Sequence, residues 1–360
     1  MLCIYSIYTE LIKFSQHFLR VCQCKGSVLP TITYQQQTIN VPASDNVLET
    51  LEQAGFKIPF SCRAGVCQSC IMRADGDIPP AAQQGLSQSQ KAQNFFLACC
   101  CYPTSALALS SIGERLQLPA RVVDKWPLND TVMGLRLAVD TTWFPGQHIT
   151  LWYDEQQGRS YSIASRCIED STLFEKVIEL HIKRHEQGVV SQWLHTQVAT
   201  GDELLISKPA GHCFYNSNHH DSPLLMAATG TGLAPLYGIL QEALACGHTQ
   251  PIYCYTAAAE AEGLYYQQAL QALAQQYSHF HAIAVVKHLP EQAVDNGADS
   301  HYLHGDLVDI VLQQHPELKG WKVFLCGSPA MIKQLRKQCF FHGASIPDIL
   351  TDAFELNAPA

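Results

Sequence analysis

The chain has 360 residues, 47% hydrophobic and 15% charged, with a formal net charge of -9, a length that suits two or three domains with separate cores. An acidic balance disfavours a nucleic-acid binder, which concentrates Lys and Arg on one face, and neither an apolar run of transmembrane length nor a signal peptide with a small-residue cleavage site is expected. Fifteen cysteines, without the paired framework of a small secreted scaffold, point to the cytoplasm and to a metal role for some of them.

Residues 1-30 are an apolar, aromatic extension carrying Glu10, Lys13, His17 and Arg20, with a short amphipathic helix expected around Leu11 to Val21. A packing extension is the first reading and a peripheral membrane contact the alternative. Cys22 and Cys24 form a lone C-x-C without partners.

A small mixed α/β domain is expected over residues 31-113. Ile32, Tyr34, Thr38 and Val41 mark two short strands, and Val47, Leu48, Leu51 and Ala54 recur at helical spacing until Gly55. Cys62, Cys67 and Cys70 then stand at C-x4-C-x2-C spacing, answered downstream by the consecutive Cys99, Cys100 and Cys101. Three thiolates on a short loop with a distant fourth are the ligand pattern of a plant-type 2Fe-2S cluster. Buried apolar cysteines are the ordinary alternative. Ala64 and Gly65 weigh against it, because small residues let backbone N–H groups turn toward sulfur, and Ser69 keeps the loop polar. Spacing alone leaves the fourth ligand open between Cys99 and its neighbours. Residues 73-95 read as a turn-rich excursion, and Leu107 to Leu116 as an exit strand and linker.

Residues 114-220 change to short strands: 120-123, 131-137, 148-153, 159-164, 174-181 and 203-207. Without long helices between them they predict an antiparallel β-barrel. Within it, Arg159-Ser160-Tyr161-Ser162 places a guanidinium and a phenol on one side of a strand, suited to a phosphate and a planar flavin ring, with Ser162 as a further donor. Gly188-Val189-Val190-Ser191 opens a helix whose amides and hydroxyl suit a pyrophosphate.

Residues 221-360 alternate strands and helices, predicting a parallel α/β domain. An apolar strand leads into Thr229-Gly230-Thr231-Gly232, where glycines remove side-chain obstruction and a helix N-terminus offers amides to a dinucleotide. A later strand ends in Cys326-Gly327-Ser328-Pro329, where Gly327 permits close approach of a nucleotide.

These three motif sets, in this order over about residues 31-355, resemble the NADH-dependent oxygenase reductases of the ferredoxin-NADP reductase superfamily, including the phenol hydroxylase and methane monooxygenase reductase types. The resemblance implies an N-terminal β-grasp ferredoxin domain, an FAD-binding barrel and a nucleotide-binding domain. It selects Cys99 as fourth ligand, since Leu97, Cys99, Tyr102 and Pro103 match the family's setting, with Cys100 the rival. It also implies FAD instead of FMN, Cys326 beside the nicotinamide, and Tyr161 and Ser162 orienting the flavin. His148 stands where the family usually has an aromatic residue. NADH is favoured over NADPH because Tyr255-Thr256-Ala257-Ala258-Ala259-Glu260 contains no cation for a 2'-phosphate. The expected acceptor is an oxygenase component, with a deoxysugar-forming dehydratase, another iron-sulfur protein or a non-turnover redox sensor as alternatives.

Overall fold

The computed structural model describes residues 29–86, 88–110, 117–154, 157–173, 175–288 and 302–354. The expected helix around Leu11 to Val21 and the Cys22/Cys24 pair lie outside the described residues, as does most of the first linker. Three sheets follow one another along the chain.

The first contains β1 (Thr31–Tyr34), β2 (Gln37–Asn40), β3 (Ile71–Asp75), β4 (Phe95–Leu97) and β5 (Leu107–Ser110), in the order β2-β1-β5-β3-β4. β1 and β5 run parallel, and the other pairs antiparallel. Alternation turns Ile32 and Tyr34 inward, and helix α1 (Val47–Gln53) lays Val47, Leu48 and Leu51 on the same core. The helix starts where it does because the Asn46 side chain accepts from the Glu49 N–H while the Glu49 carboxylate accepts from the Asn46 N–H. The stretch 73-95 is more ordered than a turn-rich excursion. It completes β3, whose outward Arg73 and Asp75 conceal the inward Met72 and Ala74, and it forms helix α2 (Gln88–Ala92) before β4.

The second sheet is antiparallel throughout. It comprises β6 (Leu118–Pro127), β7 (Val132–Val139), β8 (His148–Trp152), β9 (Gly158–Ser162), β10 (Glu169–Asp170), β11 (Glu175–Lys183) and β12 (Glu203–Ile206), in the order β10-β11-β7-β6-β12-β8-β9. All six expected strands are present, and the two-residue β10 is added at one edge. An isolated bridge from Ile163 to Leu180 ties the chain just after β9 to β11. Helix α3 (Val189–Thr196) buries Val190 and Leu194 against this sheet's core.

The third sheet is parallel: β13 (Leu224–Thr229), β14 (Ile252–Ala258), β15 (Phe280–Val286), β16 (Leu303–His304), β17 (Lys322–Gly327) and β18 (Ile349–Ala353), in the order β16-β15-β14-β13-β17-β18. Helices α4 (Leu233–Ala245), α5 (Gln267–Gln276), α6 (Leu307–Gln314) and α7 (Pro329–Phe341) connect them. β13 reads as an unbroken apolar run because a parallel strand is covered on both faces. Strand order reverses between β13 and β17, so the ligand crevice belongs at their carboxyl ends. Among the described residues no helix is long and apolar enough to cross a membrane.

Candidate functional site

The cluster loop is shaped by backbone conformation. Arg63, Gly65 and Gln68 have φ of 53°, 77° and 57°, left-handed values that curl the chain and aim its amides inward. Cys62 Sγ accepts from the Ala64 and Cys67 N–H groups, each at 3.3 Å, and Cys67 Sγ accepts from Cys62 N at 3.3 Å and Ser69 N at 3.5 Å. Cys70 and Cys99 form a second pair, with sulfurs 3.2 Å apart and Cys99 N donating to Cys70 Sγ at 3.5 Å. Two thiol pairs ringed by amides fit a two-iron cluster. The hydrogen bond the two thiols share lowers Cys67 and raises Cys62, so one proton is held between them. Cys100 Sγ lies 3.7 Å from Cys99 Sγ, and a Cβ on Gly65 would meet it at 2.7 Å.

This loop rests on the proposed flavin strand. Phe60 bridges to Gln157. A file of hydroxyls runs from Ser61 to Ser160 (3.4 Å), from Ser160 to Thr150 (3.2 Å) and from Thr150 to Ser69 (3.1 Å). Arg159 donates from Nη1 to the Ser61 and Gly158 carbonyls, both at 3.2 Å; a guanidinium has five donors, so this brace leaves capacity for a phosphate. Tyr161 and Ser162 follow immediately, and Ser162 is two residues beyond Ser160, roughly 7 Å along a strand. Burial pushes the Tyr161 hydroxyl up, keeping it neutral.

The residues present fit a flavin. His148, opposite Ser162 across β8 and β9, is 6% exposed, and its Nε2 is buried without a hydrogen-bond partner. A buried orphan of this kind fits a group that supplies a polar edge. The loop before α3 is tighter than its sequence conveys. Ser191 is buried, its hydroxyl accepting from His185 N at 3.2 Å and donating to the Gly188 carbonyl at 3.1 Å, and a Cβ on Gly188 would stand 2.5 Å from that oxygen. Ser191 thus braces the turn, while Val189 is exposed and Val190 is buried in the sheet core.

At the switch point the ends of β13 and β17 lock together. A Cβ on Gly232 would fall 2.2 Å from the Cys326 carbonyl oxygen, and one on Gly327 (φ +120°) 2.5 Å from Thr229 O and Oγ1. Ser328 N donates to Thr229 Oγ1 at 2.9 Å, and the Ser328 side chain caps α7. A Cβ on Gly230 would meet nothing within 4 Å, so the space above that turn is open. Thr231 stands between the two glycines in the same short turn. This floor fits a nicotinamide nucleotide.

The flavin and nucleotide domains meet in one constellation. The Ser162 hydroxyl donates to the Asp352 carboxylate at 2.6 Å, Asp352 registers with Cys326 across β17 and β18, and Cys326 Sγ lies 3.8 Å from Cys213 Sγ. Burial raises the Asp352 carboxyl, partly offset by the hydrogen bond from Ser162. Sequence reasoning missed Asp352 and Cys213. Nothing local signals either one, because Asp352 reaches its serine across 190 residues. The flavin and nucleotide domains are further joined by Arg166 to Glu242 at 2.7 Å and by Glu179, which accepts from Arg136 and Tyr266 at 3.1 and 2.7 Å. Phe214 stacks on Phe144, while Tyr215 is buried with its hydroxyl 3.1 Å from His248.

Family models match in succession: a 2Fe-2S iron-sulfur cluster binding domain over residues 31–104, an oxidoreductase FAD-binding domain over 119–215 and an oxidoreductase NAD-binding domain over 226–337. The chain is 28% identical over 322 residues to the reductase component of the naphthalene 1,2-dioxygenase system of Pseudomonas putida, covering 87% of this chain and 94% of that one. It is 28% identical over 310 residues to the phenol hydroxylase P5 protein of Acinetobacter pittii, covering 82% and 85%. The crystal structure of the Amycolatopsis reductase GcoB superposes with a TM-score of 0.62 at 25% identity, covering 90% of this chain and 98% of that one. Three domain matches in this order, together with relatives aligned over nearly their whole length, establish that the chain belongs to the ferredoxin-NADP reductase-like superfamily, as an FAD- and NAD(P)H-dependent ferredoxin reductase with an N-terminal 2Fe-2S domain.

Proposed function

We propose that this reductase draws electrons from NADH and delivers them, through FAD and the 2Fe-2S cluster, to an oxygenase component. The observation that carries the reading is the seating of the cluster loop on the flavin strand, which supplies a short covalent and hydrogen-bonded path between them. When bound, the flavin supplies the conversion between a two-electron hydride and single electrons. Arg159, Ser160, Tyr161 and Ser162, with Gly188, Val189, Val190 and Ser191, hold it. Thr229, Gly230, Thr231 and Gly232, with Cys326, Gly327 and Ser328, hold the nicotinamide nucleotide. Tyr161, Ser162 and Cys326 orient the reacting rings, and Cys62, Cys67, Cys70 and Cys99 hold the irons. The domains run 31-113, 114-220 and 221-360, the first a β-grasp and the second a barrel closed near the Ile163–Leu180 bridge. A cytoplasmic location agrees with the absence of disulfides among the described cysteines.

The coenzyme follows from the end of β14. Ala258 is followed by exposed Ala259 and Glu260, with Glu262 exposed in the next turn. Lys287 bonds the Ala258 carbonyl through its backbone N–H at 3.1 Å, bringing one cation near. Two carboxylates against one ammonium disfavour a 2'-phosphate. The ratio of kcat/KM for NADH to that for NADPH should exceed about tenfold, and a preference for NADPH would reverse the assignment.

Electrons leave at the exposed rim of the cluster loop, where Ala64 is exposed, Val66 is 42% exposed and Tyr102 53%. Arg63 is held back from this rim, paired with Glu52 at 2.8 Å and lying over Phe60. An apolar contact there is disrupted by a charge. In an anaerobic assay of NADH-driven reduction of an oxygenase component, Val66→Glu should slow transfer by about tenfold or more while flavin reduction stays unchanged. Reduction of a dehydratase component in place of every oxygenase component would move the acceptor to that class, and normal transfer by the variant would place the docking site elsewhere.

A further inference from the structure

The Cys213–Cys326 contact joins two domains at the point where the nicotinamide must enter. Cys213 is carried by the loop after β12, two residues beyond Gly211 (φ +108°), and is 5% exposed; Cys326 is the penultimate residue of β17 and fully buried. Their sulfurs are 3.8 Å apart, so roughly 1.8 Å of approach separates them from a disulfide bond length. We propose that Cys213 and Cys326 are a redox modification site, at which a two-electron oxidant such as hydrogen peroxide or diamide forms a disulfide that closes the nicotinamide crevice.

The step balances. Both thiols lose their hydrogens, one S–S bond forms, and two electrons and two protons reduce peroxide to two waters or diamide to its hydrazine. The bond would clamp the flavin-domain loop to the end of β17, and both sulfurs would then be held where Cys326 otherwise faces the ring of the coenzyme. Burial and the hydrogen bond with Cys213 keep the Cys326 thiol protonated, so reaction in the closed site is slow. The crevice has to admit a nicotinamide in every turnover, however, and an opening that admits that ring also admits a small oxidant. Bound coenzyme should therefore protect the pair. The inference rests on the placement of Cys326 beside the nicotinamide.

The test treats the cofactor-loaded full chain with diamide, then maps its peptides and follows flavin bleaching by NADH. The expected result is a mass loss of about 2 Da, that of two hydrogens, in a peptide pair linking Cys213 to Cys326. Bleaching should slow by about tenfold or more, return on adding dithiothreitol, and be spared when NAD+ is present during oxidation. Cys213→Ser, compared with its own untreated rate, should lose this sensitivity. Absence of the linked peptides would overturn the modification site. A linked protein that bleaches as fast as the untreated one would overturn the closing effect while leaving the placement of Cys326 beside the nicotinamide intact. Reversal by dithiothreitol in the unmutated protein decides the matter even if the serine variant fails to fold.

Discussion

Replacing Cys99 with Ser should empty the iron site, whereas replacing Cys100 with Ser should leave it filled. Both thiols follow β4, but only Cys99 faces Cys70 at 3.2 Å, is buried, and lends its own N–H to the Cys70 sulfur. Cys100 packs its sulfur over Gly65 on the outer side. A serine at position 99 removes one of two ligands to one iron, and soft thiolate sites do not tolerate such a loss as they tolerate changes around them. Iron should fall from about two per chain to well below one, with loss of the reduced-cluster EPR signal and retention of flavin, because the flavin strand lies in another domain. Full iron and an unchanged signal in Cys99→Ser, with loss in Cys100→Ser, would exchange the two roles.

The second large effect belongs to Asp352. Its carboxyl is buried, accepts the Ser162 hydroxyl at 2.6 Å, and sits in register with Cys326, at the meeting of the flavin strand and the nicotinamide crevice. Asparagine keeps the shape and an acceptor for Ser162 but cannot hold or release a proton. NADH-driven flavin reduction or its reversal should therefore slow by about a hundredfold. Stability should move the other way. Burial raises this carboxyl above its ordinary value, so its contribution to folding is fully present below the ordinary carboxylate range and is lost as pH rises through the folded-state value. A raised value therefore weakens folding at neutral pH, and Asp352→Asn should melt at a higher temperature. An unchanged rate would remove Asp352 from the reaction; a lower melting temperature would mean that its charge is fully compensated in the fold.

The two outcomes differ in how far sequence could anticipate them. The thiol spacing C-x4-C-x2-C, the apolar run of β13 and the glycines at 230 and 232 act through neighbours a few residues away, so their chemistry was readable along the chain. Strands with alternating or unbroken apolar character were legible for the same reason. β3, β16 and β18 were not, being short or carrying charged residues such as Arg73 and Asp352 inside the strand. The hydroxyl file between Ser61, Ser160, Thr150 and Ser69, the Ser162–Asp352 bond and the Cys213–Cys326 contact unite residues from different domains. Their partners are chosen by tertiary packing, which no local period encodes. Ser191 has a second role that its position at a helix start does not signal, since its hydroxyl also braces its own turn.

The seating of the cluster loop on the flavin strand makes the cluster the exit from the flavin. Anaerobic mixing of the fully loaded protein with NADH, followed by stopped-flow absorbance and freeze-quench EPR, tests this directly. Prompt bleaching of the flavin band is expected, followed by the EPR signal of a reduced 2Fe-2S cluster within the same turnover and without added acceptor. A bleached flavin beside a cluster that stays oxidised would contradict it.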